Sequence, residues 1–65
     1  MSSIGKNISR YRKRQDKTQK ELAEEAGIDV FTLSKIETGT TPNPTIETLT
    51  KIAKALGVGV EDLIK

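Results

Sequence analysis

Residues 18–39 contain, in close succession, the start and stop signals of two short helices. Thr18 and Glu21 match a capping box, in which each side chain accepts a hydrogen bond from a backbone N–H that a helix start leaves unpaired. Gly27 supplies the left-handed backbone position that commonly ends a helix, and Asp29 is a good N-cap for the helix that follows. The chain must therefore turn sharply at this glycine. The two helices are predicted over residues 19–26 and 30–38.

Each of these two helices carries apolar residues on one face. Leu22 and Ala26 are four residues apart in the first helix, and Leu33 and Ile36 are three apart in the second, which is the spacing of a buried helix face. Ala23 is small, as is needed where two helices cross at a wide angle with little room between them. Capping boxes and glycine stops are common one at a time, so the evidence lies in their joint spacing. That spacing indicates a helix-turn-helix arrangement.

A further helix is predicted before this motif. Ile4, Ile8 and Tyr11 recur at i, i+4 and i+7 and predict a first helix over residues 4–14. Its end is rich in arginine and lysine, and cations suit the C-terminus of a helix because the backbone dipole is negative there.

Two more helices are predicted after the motif. Residues 39–44 contain a glycine and two prolines, which exclude regular structure and predict a loop. Thr45 is a good N-cap and Gly57 a good stop, and between them runs an apolar stripe that begins at Ile46. A last helix of only about one and a half turns is predicted to begin at Gly59. The chain is thus expected to be all-α.

Length and composition favour a single small binding domain over an enzyme. A chain of 65 residues hides only about 60% of its unfolded surface, so a deep catalytic cavity is not expected. The absence of cysteine and histidine removes disulfides, thiolate zinc sites and the commonest proton shuttle. No catalytic residue, metal site or cofactor is predicted. The remaining candidate acids are expected to be exposed and without a partner group or cavity: Glu24, Glu25, Glu61 and Asp62.

The chain has no apolar run of about 18 residues and no pattern of a secretory signal peptide. These features predict a cytosolic protein without membrane contact.

Charge is unevenly distributed along the chain. Residues 1–20 hold seven lysines or arginines and one acid, whereas residues 21–65 hold four basic residues and eight acids. The resulting split of +6 against −4 predicts one positive face that attracts a polyanion and releases its counterions on binding. For Lys6, Lys51 and Lys54 the preferred interpretation is a solvated helix surface.

The motifs T-Q-K-E-L-A, A-G-I, L-S-K-I-E-T-G and I-A-K-A-L-G-V, together with a basic first helix and a proline-containing loop, resemble the Cro/repressor-type (XRE-like) helix-turn-helix family. The resemblance covers nearly the whole chain. It implies one compact, five-helix, lambda-repressor-like domain over residues 1–65, with the helix-turn-helix at helices 2 and 3, about residues 18–38. Members of that family mostly bind operator DNA as transcriptional regulators, so a sequence-specific DNA-binding repressor that acts as a dimer is expected.

The resemblance also implies which residues meet double-stranded DNA. The third helix would enter the major groove with its N-terminal residues against base edges, and the start of the second helix would hold a phosphate through backbone N–H groups and its positive dipole end. The implied base-reading residues are Val30, Phe31, Thr32, Ser34 and Lys35. The implied phosphate-binding residues are Arg14, Thr18, Gln19, Lys20, Thr38, Thr41 and Asn43.

The chain departs from the family pattern at Val30 and Phe31, where members often have polar residues. Apolar groups cannot read hydrogen-bonding patterns, but they can touch thymine methyl groups or mark a surface for a protein partner. The rival interpretation is therefore a protein-interaction module on the same fold, such as an antitoxin or a coactivator-like bridge. Lys17 is a smaller departure from an apolar position, and its aliphatic stem is expected to cover the core while its ammonium stays in water.

Two structural contacts are also expected. The family places an ion pair between the first helix and the end of the recognition helix, which here implies a bidentate contact of Arg12 with Glu37. Near the C-terminus, more apolar surface is present than one short helix can hide, so a weak two-fold dimer contact is predicted. Its residues are Val58, Val60, Leu63 and Ile64.

Overall fold

The computed structural model describes residues 4–41 and 43–65, and these residues form five α-helices without a strand. The helices are α1 (Ile4–Arg14), α2 (Gln19–Ala26), α3 (Val30–Thr38), α4 (Ile46–Leu56) and α5 (Val60–Ile64). The expectation of an all-α, five-helix fold is confirmed. The connection after α3 is irregular in the residues described, and Pro42, which the loop prediction included, lies outside them. No helix in the described part of the chain is long and apolar enough to cross a bilayer.

The turn between α2 and α3 forms through the caps that the sequence predicts. Thr18 Oγ1 accepts a hydrogen bond from Glu21 N at 3.0 Å, and Thr18 N donates to Glu21 Oε1 at 2.8 Å. Gly27 ends α2 with a positive φ of 72°, which costs glycine little because it has no Cβ. Asp29 then caps α3 by accepting from Phe31 N at 2.7 Å. All N–H groups involved lie at helix ends, where the helix itself supplies no partner.

The end of α1 has a backbone feature that the sequence did not predict. Asp16 has a positive φ of 55° and is the one non-glycine residue with this conformation in the part of the chain described. Lys17 N donates to Arg12 O at 3.2 Å and Asp16 N donates to Lys13 O at 3.1 Å. This is the hydrogen-bonding pattern of a Schellman motif, which usually has glycine where this chain has aspartate.

One hydrophobic core receives side chains from all five helices. Helix α1 packs against α3, α4 and α5, and α2 packs against α3 and α4. Ile46 was expected to belong to the apolar stripe of α4, but it is exposed because it is the first residue of that helix and lies beyond the core. The buried apolar residues are Ile8, Leu22, Ala23, Ala26, Leu33, Ile36, Leu49, Ile52, Ala53, Leu56 and Leu63.

Helices α1 and α3 approach each other at Gly5. A Cβ atom at this position would collide with the backbone oxygen of Ile36 and would lie 2.7 Å from that of Glu37. Gly5 lies in the first turn of α1 and is buried. Here it permits backbone contact between two helices, which sets the distance from α1 to the end of α3.

The connection between α1 and α2 satisfies the C-terminal carbonyls of α4. Lys17 Nζ donates to Ala55 O at 3.2 Å and Gln15 Nε2 donates to Leu56 O at 2.8 Å. Lys17 Nζ also lies 2.6 Å from Glu25 Oε1. The ammonium thus binds an acid and the negative end of a helix, two partners that the sequence analysis did not predict.

The short helix α5 is held against α1 by hydrogen bonds and by the core. Part of the predicted dimer contact is therefore wrong. Leu63 is 0% exposed and belongs to the core, so it cannot contact a second protomer. Asn7, a buried polar residue, donates from Nδ2 to Leu63 O at 2.8 Å and to Lys65 O at 3.2 Å. Val58 and Val60 are half-buried against the same core, and Ile64 is the member of the predicted set that is exposed.

Candidate nucleic-acid interface

Helix α3 presents one apolar face to the core and a second, exposed face to solvent. Leu33 and Ile36 are buried, which orients the opposite side of the helix outward. Phe31 is 67% exposed, an unusual state for a phenyl ring in a monomer. Of the predicted base-reading residues, four are exposed and Ser34 is half-buried. The exposed four are Val30, Phe31, Thr32 and Lys35.

The exposed face of α3 contains a side-chain contact that the sequence analysis missed. Lys35 Nζ lies over the ring of Phe31, 4.6 Å from its centroid, within the range of a cation–π interaction. The two residues are four apart on one helix, and side chains at this spacing are neighbours. That spacing was the signal available in the sequence.

The start of α2 brings together Thr18, Gln19 and Lys20, the predicted phosphate-binding residues of that helix. Thr18 already uses its backbone N–H and its hydroxyl oxygen in the capping box, so its hydroxyl hydrogen is the group left to donate. Lys20 is exposed and Gln19 is half-buried. The N–H groups of a helix start and the positive dipole end favour an anion at this position.

A network of side chains ties the end of α3 to α1 and α2. Arg12 Nε donates to Glu37 Oε2 at 2.8 Å and Arg12 Nη2 donates to Glu37 Oε1 at 3.0 Å, which is the bidentate geometry expected from the sequence. The two side chains are 13% and 5% exposed. Arg12 Nη1 donates to Lys17 O at 2.8 Å, and Gln19 Nε2 donates to Glu37 Oε1 at 3.1 Å. One carboxylate thus orients both the arginine and the amide of Gln19.

The remaining predicted phosphate-binding residues lie at the ends of α1 and α3. Thr38 donates its hydroxyl hydrogen to Lys35 O at 3.2 Å, so it must break this bond before it can donate to a phosphate. Thr41 N also donates to Lys35 O, at 3.1 Å, and Asn43 is exposed. Arg14 is exposed, with its guanidinium 5.9 Å from the centroid of the Tyr11 ring.

Comparison with known proteins relates this geometry to one family and to a DNA complex. Residues 8–63 match the family model described as "Helix-turn-helix". The chain is 41% identical over 61 residues to the HTH-type transcriptional regulator SinR of Bacillus subtilis. It is 38% identical over 60 residues to the cryptic phage CTXphi transcriptional repressor RstR of Vibrio cholerae. Both relatives are described as regulators of transcription.

The fold of this chain is more similar to that of SinR than the sequence identity alone would indicate. A crystal structure of SinR, described as the master regulator for biofilm formation, in complex with DNA has a TM-score of 0.92 to this chain. The match has 40% sequence identity and covers 95% of this chain and 98% of that one. The chain spans about half the length of the curated relatives, since the matches cover 94% and 92% of this chain but 55% of SinR and 53% of RstR.

Proposed function

The chain belongs to the Cro/repressor-type (XRE-like) helix-turn-helix family, and we propose on this premise that it is a cytoplasmic, DNA-binding transcriptional regulator that represses by occupying an operator. The observation that carries the proposal is the outward face of α3, which is exposed in a fold with a TM-score of 0.92 to a DNA-bound relative. The chain supplies the DNA-binding domain, and double-stranded DNA is its partner.

The contacts with DNA divide into two groups. The exposed face of α3 enters the major groove and presents Val30, Phe31, Thr32 and Lys35 to base edges. The start of α2 holds a phosphate through its N–H groups, with Gln19 oriented by Glu37. Phosphate contacts position the domain on the duplex and base contacts select the sequence. Ser34 is half-buried and, in this proposal, lies at the edge of the α3 face that enters the groove.

Two protomers occupy a palindromic operator in this proposal. Two-fold symmetry places the recognition helices about 34 Å apart, one helical turn of DNA. With Leu63 buried in the core, the self-association surface consists of Ile64 and the outer parts of Val58 and Val60. So small a contact gives weak association in the absence of DNA.

Phe31 also favours a second candidate function, a protein-interaction module. A phenyl ring that is 67% exposed gains from being covered by any apolar partner. Charge favours DNA, because the protein carries Lys35 on the same helix face and basic residues at the end of α1.

Selection of binding sites from a random duplex pool, followed by a salt titration of the selected site, tests the proposal. We expect one enriched sequence that binds at least about a thousandfold more tightly than random DNA. Lys35→Ala should weaken this preference, whereas Lys54→Ala, which removes the same charge from an exposed position on α4, should leave it intact. Binding that depends on salt but enriches no sequence would contradict the proposal.

A further inference from the structure

The contact between Phe31 and Lys35 is the feature of the exposed α3 face that the proposed function does not yet explain. The Lys35 ammonium lies 4.6 Å from the centroid of the Phe31 ring. Both side chains are exposed, and neither is part of the core that holds α3 in place. The pair therefore remains available to a ligand that approaches this face.

The positions of the two residues on α3 determine how far apart the base pairs that they contact lie. Residues four apart are separated by slightly more than one helical turn, roughly 6 Å along the axis at 1.5 Å per residue. Successive base pairs of DNA are about 3.4 Å apart. A helix in the major groove thus brings the two side chains to base pairs that are neighbours or next neighbours.

The chemistry of each side chain selects a different base. The apolar group that a phenyl ring can cover in the major groove is the C5 methyl of thymine. An ammonium donates hydrogen bonds to guanine O6 and N7. The lysine stem is flexible and loses conformational freedom on binding, and contact with the ring reduces that loss by holding the ammonium beside the groove before DNA arrives.

We infer that Phe31 and Lys35 act as one reading unit that recognises a thymine and a guanine within two base pairs of each other in the operator half-site. Phe31 is then both a base-reading residue and the positioning residue for Lys35. This inference rests on the DNA-binding function proposed above and adds the base composition that the half-site must contain.

Modified bases in the selected operator test the inference. Replacing the thymine by uracil removes one methyl group, worth about 0.8 kcal/mol of burial, and should weaken binding about fourfold in each half-site. Replacing the guanine by 7-deazaguanine removes only the N7 acceptor and should also weaken binding. Phe31→Ala should abolish the uracil effect and reduce the 7-deazaguanine effect. Phe31→Leu should retain part of the uracil effect, because it keeps an apolar side chain without the aromatic face.

Lys35→Met provides the matched variant, since it keeps most of the stem and removes the ammonium. It should abolish the 7-deazaguanine effect and retain the uracil effect. The melting temperatures of the Phe31 and Lys35 variants should match that of the native protein, because both side chains are exposed.

The outcomes separate this inference from the proposed function. A specific operator whose uracil form binds as tightly as its thymine form at every position overturns the inference and leaves the regulator standing. Equal 7-deazaguanine effects in Phe31→Ala and in the native protein overturn the coupling between the two residues. If the pool enriches no sequence, both fail together.

Discussion

Glu37 connects three segments of the chain. Its carboxylate accepts from Arg12 on α1 and from Gln19 at the start of α2. The pairing with Arg12 was predictable from the family resemblance. The bond to Gln19 was not, because it depends on how the end of α3 faces the start of α2.

Glu37→Gln should lower the free energy of unfolding by about 3 kcal/mol, because it leaves a largely buried guanidinium without a charged partner. In a domain of this size such a loss lowers the melting temperature by more than about 10 °C. Thermal unfolding followed by circular dichroism measures it. Glu47→Gln is the control, since Glu47 forms a 4.0 Å exposed pair with Lys51 whose loss costs less than about 0.5 kcal/mol. Equal melting temperatures for the two variants would contradict the role given to Glu37.

Helix ends account for much of the agreement between the helices predicted from the sequence and those in the structure. The caps at Thr18, Asp29 and Thr45 and the stop at Gly57 all form as predicted. The exception is the end of α1, where Asp16 adopts the left-handed conformation. Aspartate tolerates this conformation better than most residues but less well than glycine, and its negative charge is unfavourable at a helix C-terminus.

Asp16→Gly should therefore stabilise the protein, by about 0.5 to 1 kcal/mol, since it removes both the strain and the charge. Asp16→Asn removes the charge and keeps the side chain, so it should give a smaller gain. Chemical denaturation of the three proteins separates the two contributions. A lower free energy of unfolding for the glycine variant would show that the aspartate side chain stabilises this turn.

The five helices form a body of 27 × 20 × 19 Å. Its surface retains two exposed isoleucines in the described residues, Ile46 on α4 and Ile64 on α5. The proposed self-association uses Ile64, which follows the buried Leu63 on the helix that Asn7 fastens to α1. Because α5 is fixed to the core, the proposed contact would have a defined orientation relative to α3.

We expect the free protein to sediment as a monomer at micromolar concentration and two protomers to bind a palindromic duplex cooperatively. Ile64→Asp should reduce the cooperativity, because a carboxylate in an apolar contact is costly to desolvate. Ile46→Asp introduces the same charge at another exposed isoleucine and should leave cooperativity unchanged. Sedimentation velocity with and without the duplex measures both. A single protomer on a saturated two-site duplex would refute the two-fold arrangement.

Local signals determined the number, order and bounds of the helices, because a cap, a glycine stop and an apolar face are each encoded within a few residues. The tertiary structure decided which apolar residues are covered: Leu63 entered the core and Ile46 did not. It also decided that Gly5 lies against the backbone of α3. These outcomes depend on contacts between segments far apart in the chain, and no short pattern of residues specifies them.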